Sequence, residues 1–158
     1  MNARERMNII DKENFEPLII AFCCQYCSYS AADLAGSMRL QYPPNVRIIR
    51  TPCTGRLEVE FFMKAFEKGA DGVLVAGCLE GGCHFTEGNF LAKGRVKYAG
   101  TFLAESGIEP ERIRMINVSA AGARPFVEQL NDLIETVKKL GPNPVTGKAF
   151  KIKEEITA

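Results

Sequence analysis

Four short apolar runs alternate with four longer stretches that repeat every three or four residues. The runs are Leu18–Phe22, Val46–Arg50, Val73–Ala76 and Ile113–Val118. The first is continuously apolar and short, as expected of a strand covered on both faces. Between the first two runs, Ser28–Leu40 places Ala31, Leu34, Ala35 and Met38 at helical spacing, with Ser28 or Ser30 in position to cap its start. Leu57–Lys68 gathers Leu57, Phe61, Phe62, Ala65 and Phe66 on one face, and Gly69 follows where a helix C-terminal glycine belongs. Asn89–Ser106 reads as a third helix ending near Gly107. Pro125–Leu140 is the fourth, opening on a proline suited to the first helical position and stopped by Gly141-Pro142.

Strand and helix in strict alternation predict an α/β fold: a single three-layer domain with a mostly parallel, about four-stranded sheet and helices on both faces. Right-handed crossovers restrict the topologies, and the flavodoxin-like order 2-1-3-4 is preferred. The domain spans residues 17–141, with an N-terminal arm over 1–16 and a C-terminal tail over 142–158. In this order the first and third strands flank the topological switch point, and ligands of open α/β sheets sit outside the carboxyl ends of such strands.

The length of 158 residues suits one domain with an ordinary core. Twenty Lys and Arg against 19 Asp and Glu give no electrostatic case for nucleic acid or an anionic membrane surface. No apolar stretch nears the roughly 18 residues a transmembrane helix needs. The polar, mixed-charge start lacks the apolar core of a signal peptide, so the expected compartment is the cytoplasm.

The chemistry lies in the cysteines. All six fall in three groups, and each group directly follows an apolar run: Cys23, Cys24 and Cys27; Cys53; Cys78 and Cys83. Neighbouring parallel strands would bring all three groups to one sheet edge. Disulfides suit small exported scaffolds without a core, whereas this chain has a core's worth of apolar residues and a reducing compartment is expected. Clustered thiols there bind metal or do redox chemistry. A 2Fe–2S cluster and a zinc site both need four such ligands. Cys53, Cys78 and Cys83 with one cysteine of the first loop make four. Cys24, just past the strand end, is favoured; Cys27 is the close alternative, and Cys23 is expected to pack as a small apolar residue.

The single histidine, His84, adjoins Cys83 and is a candidate ligand, a donor to a sulfur, or a plain loop residue. Its solitude excludes a Rieske-type pair. The glycines of the third loop (Gly77, Gly81, Gly82, Gly88) either let backbone N–H groups approach a sulfur or form a plain turn. Arg56 either offsets site charge or is solvated. No G-x-G-x-x-G follows the first strand and no phosphate-binding P-loop is present.

Several stretches carry a resemblance. They are Phe22-Cys23-Cys24-Gln25-Tyr26-Cys27, Arg39–Arg50 with Pro43-Pro44-Asn45 inside it, Cys53-Thr54-Gly55-Arg56, Ala65–Cys78, Cys83-His84 and Gly88-Asn89. In combination, over about Pro17 to Leu140, the chain resembles the delta subunit of methyl-viologen-reducing hydrogenase. Leu79, where such proteins often have histidine, and Ser30-Ala31, in place of a glycine pair, depart from the pattern without removing a cysteine. The resemblance implies an electron-transfer subunit with one 2Fe–2S cluster. Its implied partners are a hydrogenase or formate dehydrogenase as donor and the flavoprotein subunit of a heterodisulfide reductase as acceptor, with bond-making chemistry elsewhere. Two other readings stay open from the residues alone: a zinc-stabilised interaction module, and a thiol redox enzyme using Cys24 and Cys27.

Overall fold

The computed structural model describes residues 15–146, so most of the expected arm (1–16) and tail (142–158) lies outside the described residues. The elements are β1 (Ile19–Cys24), α1 (Ser28–Ser37), β2 (Val46–Thr51), α2 (Val59–Glu67), β3 (Gly72–Gly77), α3 (Gly88–Glu105), β4 (Ile113–Asn117) and α4 (Ala123–Leu140). Short 3-10 turns at Thr54–Arg56 and Pro110–Arg112 add to the alternation that periodicity predicts. The strands form one sheet in the order β2-β1-β3-β4, and every pairing is parallel. Among the described residues no helix is long and apolar enough to cross a membrane.

Strand alternation sorts the core into two layers. Ile19, Ala21 and Cys23 of β1 join Leu74 and Ala76 of β3 beneath α1 and α4. Phe22 of β1 joins Val73 and Val75 of β3 on the opposite face, beneath α2 and α3. β3 is buried at all six positions, which explains its unbroken apolar sequence. The outer strand β2 instead exposes Arg47, Ile49 and Arg50.

Three local expectations change. β1 runs through Cys23 and Cys24, so Cys24 is the strand's last residue rather than the one after it. Ser28 does not cap α1, whose N-cap is Cys27; its hydroxyl donates to the carbonyl of Ala76 at 2.5 Å and ties the helix start to the end of β3. α4 begins at Ala123, so Pro125 is its third residue, still within the first turn where an N–H lacks an intrahelical partner. Gly69 stands just beyond α2 with φ +109°, the left-handed conformation expected of a helix-ending glycine.

At the opposite edge from the cysteines, buried polar groups pin the ends of the domain together. The carboxylate of Asp71 accepts from the backbone N–H of Leu18 at 2.9 Å and of Asn143 at 2.8 Å. Asn143 is fully buried, and its side chain donates to the carbonyls of Phe66 (3.0 Å) and Ala70 (2.8 Å). The chain past α4 is therefore held to the core through that residue. Arg112, also fully buried, donates to the carbonyls of Asp71 (3.1 Å), Gly141 (2.9 Å) and Pro142 (3.3 Å), and to the Glu109 carboxylate (2.7 Å). Burial acts most strongly, against the charge on Glu109, but the hydrogen bond from Arg112, one from a backbone N–H and the guanidinium charge together hold that carboxyl below its usual range.

A guanidinium so placed satisfies three carbonyls at once, and its loss leaves them buried without donors. Arg112→Met is expected to lower unfolding stability by about 3–5 kcal/mol in urea titration, without changing the sheet-edge chemistry described next. A loss below about 1 kcal/mol would show that water replaces the guanidinium readily.

Candidate metal centre

β1 and β3 are neighbours, and both end at the same edge. Cys24 closes β1 and Cys78 follows β3, so adjacent strand ends set their sulfurs 3.7 Å apart. The sharp turn after β1 returns Cys27 to the same place: its N–H donates to the Cys24 carbonyl, and the sulfurs of Cys24, Cys27 and Cys78 lie within 4.8 Å of one another. Cys83 packs against this trio. Cys53 reaches the group from the end of β2, on the other side of β1. All six cysteines are free thiols.

Cys23 is the exception. Strand alternation turns it to the other face, fully buried among Ile19, Ala21 and the small residues of α1. Burial pushes its thiol up to about 12. It packs as the small apolar residue its sequence position suggests. Of the first-loop pair, Cys24 and Cys27 both arrive, so five thiols meet where four were expected.

The surroundings supply hydrogen bonds to sulfur. Cys24 is pulled down to about 5, foremost by the Cys27 thiol, against burial, with the N–H of Tyr26 and the thiol of Cys78 adding to the effect. The same bond, together with burial, pushes Cys27 up. Burial also raises Cys53 and Cys78, although the N–H groups of Gly55 and His84 respectively oppose it. At Cys83 burial is outweighed by the N–H groups of Asn89, Phe85 and Gly88, and its thiol is lowered. Gly88 and Asn89 open α3, whose N-terminal end favours a thiolate.

Two glycines permit this approach. A Cβ on Gly88 would collide with the Cys53 sulfur and stand 3.3 Å from that of Cys83. A Cβ on Gly55 would stand 2.7 Å from the Gly88 Cα. The Cys53 loop and the start of α3 thus touch backbone to backbone. Arg95, farther along α3, clamps them by donating to the carbonyls of Gly55 (2.6 Å) and Leu57 (3.1 Å) while pairing with Glu58 at 3.0 Å. The buried amide of Asn89 donates to the carbonyls of Cys78 (3.1 Å) and Leu79 (3.0 Å), and Asn117 donates to the Cys78 carbonyl at 2.6 Å. Periodicity does not single out Asn89, Arg95 or Asn117. The available signal is a polar residue directly after Gly88 at a helix start.

His84 is exposed, and its ring stacks on Tyr26 with centroids 3.9 Å apart, so its backbone rather than its imidazole reaches a sulfur. Arg56 is exposed and lines a cleft of about 620 Å³ with Cys53, Phe85, Gly88 and Leu91. A smaller cleft of about 350 Å³ opens on the other side, over Cys27, Cys78 and His84. The sulfurs are thus approached from two directions.

A family model described as methyl-viologen-reducing hydrogenase, delta subunit, matches residues 19–141. An iron-sulfur subunit of F420-non-reducing hydrogenase from Archaeoglobus profundus is 47% identical over 130 residues, covering 82% of this chain and 95% of the relative. The vhu iron-sulfur subunit of F420-non-reducing hydrogenase from Methanocaldococcus jannaschii is 49% identical over 130 residues, covering 82% and 97%. A third relative belongs to the ferredoxin/F(420)H(2)-dependent CoB-CoM heterodisulfide reductase of Methanosarcina acetivorans. It is 43% identical over 135 residues, which are 85% of this chain and 17% of the relative.

Since sulfur occupies the space a side chain would need at Gly88, Gly88→Ala is expected to cut bound metal per chain to below about half, read by elemental analysis after anaerobic reconstitution. Gly94→Ala, on the same helix with nothing within 4 Å of its Cβ, is expected to keep its metal and gain up to about 1 kcal/mol in stability. Equal metal content in the two variants would refute the steric argument.

Proposed function

Because the chain belongs to the methyl-viologen-reducing hydrogenase delta-subunit family, we propose that it is an electron-transfer protein holding one 2Fe–2S cluster. The observation that carries this reading is the convergence of thiols from three strand ends on one edge of the sheet, with backbone N–H groups directed at them. The donor set fits such a group: four thiolates are required, and hydrogen bonds to the sulfurs are among the features that set its potential. Bound there, it would accept and release single electrons without making or breaking bonds in a substrate.

Cys24, Cys78, Cys53 and Cys83 are the proposed ligands. Cys24 and Cys78 form a close sulfur pair, and Cys53 and Cys83 flank Gly88. Cys27 is left as a neighbouring thiol outside the set. The chain's own residues hold the ligands, through Asn89, Asn117 and Arg95, and direct N–H groups at the sulfurs. In this reading the bond-making chemistry resides in other subunits.

Electrons would come from a hydrogenase, the enzyme to which the names of the archaeal iron-sulfur relatives assign them, or from a formate dehydrogenase. They would pass to the flavoprotein subunit of a heterodisulfide reductase. Support for that acceptor comes from the Methanosarcina relatives, in which a similar unit forms part of a heterodisulfide reductase polypeptide.

The test is iron and acid-labile sulfide analysis with EPR after dithionite reduction, on protein purified without oxygen. About two irons and two sulfides per chain, with a signal of a reduced 2Fe–2S centre, are expected. Cys24→Ser, Cys53→Ser, Cys78→Ser and Cys83→Ser should each abolish or distort that signal. Cys27→Ser should keep about two irons, and Cys23→Ala should keep them at a stability cost of about 1 kcal/mol. Stoichiometric zinc without iron would make the chain a zinc-stabilised interaction module instead. Iron lost from Cys27→Ser but kept in Cys24→Ser would exchange their roles.

A further inference from the structure

Helix α3 is apolar on two sides. Ala92, Val96, Ala99 and Leu103 are buried against the sheet. A second set, Leu91, Tyr98 and Phe102, follows at positions i, i+7 and i+11 along one flank of the helix, about 110° round from the buried face, with exposures of 54%, 63% and 46%. Isolated exposed apolar residues are ordinary on protein surfaces. A row of large ones along one flank of a helix marks an interaction surface.

The stripe begins at the sulfur site. Leu91 lines the same cleft as Cys53 and Gly88, and Phe85, 53% exposed, stands beside it. A protein seated on this helix would cover the wall of the sulfur site at once. The opening on the other side, over Cys27 and Cys78, is smaller and bordered by His84, Tyr26 and Ser119.

We propose that the Leu91–Tyr98–Phe102 stripe of α3, with Phe85, is the docking face for the flavoprotein subunit of heterodisulfide reductase. This rests on the electron-transfer reading above. The occupant is chosen by permanence. In Methanosarcina acetivorans and Methanosarcina mazei a unit similar to this chain is covalently part of a heterodisulfide reductase polypeptide, making up 17% of each protein. An association that can be made covalent is a permanent one, and permanent interfaces are the more hydrophobic class. The larger apolar face suits the permanent partner, whereas the narrower His84 opening suits a donor that exchanges.

The experiment uses the full chain with its metal reconstituted and the reductase flavoprotein purified from the same host, with affinity read by sedimentation velocity and titration calorimetry. Tyr98→Glu and Phe102→Glu are each expected to weaken binding by about 30-fold or more. Leu79→Glu, at the other opening, should stay within about threefold of wild type. Tyr98→Ala and Phe102→Ala, which keep the helix with less perturbation, should weaken it in the same direction. Iron content, EPR signal and circular dichroism should match wild type in every variant. Unchanged binding by the stripe variants, or loss confined to Leu79→Glu, overturns the proposal. So does a wild-type homodimer that Tyr98→Glu dissociates without effect on the flavoprotein, since the stripe's occupant would then be a second copy. Wild type that holds its iron yet does not bind the flavoprotein at all overturns the docking face together with the acceptor assignment. Wild type without iron would instead sink the electron-transfer reading beneath them.

Discussion

The arrangement depends on one geometric constraint: two parallel strands side by side must end side by side. β1 and β3 are neighbours because the chain crosses from β1 to β2 in one direction and from β3 to β4 in the other. At the point of reversal no helix covers the strand ends. Cys24 and Cys78 sit at those ends, and their 3.7 Å separation follows from strand spacing rather than from any attraction between sulfurs. The sheet that holds the pair is built around β3, which is buried along its whole length.

The second half of the sulfur set is held differently. Cys53 and Cys83 belong to loops, and their positions are fixed by backbone contact with the start of α3 at Gly55 and Gly88. Arg95 holds that contact through the Gly55 carbonyl, while Asn89 ties the same helix start to the carbonyls of Cys78 and Leu79. One sulfur pair is therefore set by the sheet and the other by a helix N-terminus. The N–H groups of that terminus stabilise negative charge at Cys83. A charge change at the site would be felt first along α3, the element that also carries the exposed aromatic stripe.

Most of the fold was legible because periodicity speaks for each element separately. The four strands and the four helices follow from runs and spacing, and the order 2-1-3-4, a preference among the topologies that right-handed crossovers allow, is the one the sheet adopts. The end of β1 was not, because cysteines that look like a motif also pack as small apolar residues; reading Cys23 and Cys24 as strand would have sorted them by face at once. Pro125 misled by two residues because proline is accommodated throughout the first turn. The polar pins were invisible for another reason. Arg95 reaches back 40 residues to Gly55 and Arg112 reaches 41 to Asp71. No local pattern encodes such partners. The simultaneous arrival of Cys24 and Cys27 was hidden because it depends on how tightly the chain turns after β1.

The Asp71 carboxylate, holding Leu18 with one oxygen and Asn143 with the other, has a consequence for evolution. It brings the two places where the chain enters and leaves the domain to a common point, at the sheet edge opposite the thiols. A polypeptide spliced on at either side, or at both, starts from that point rather than beside the thiols. The unit therefore behaves as a cassette: it can stand as a separate protein in one organism and be stitched into a much longer one in another, with the same face left open for traffic.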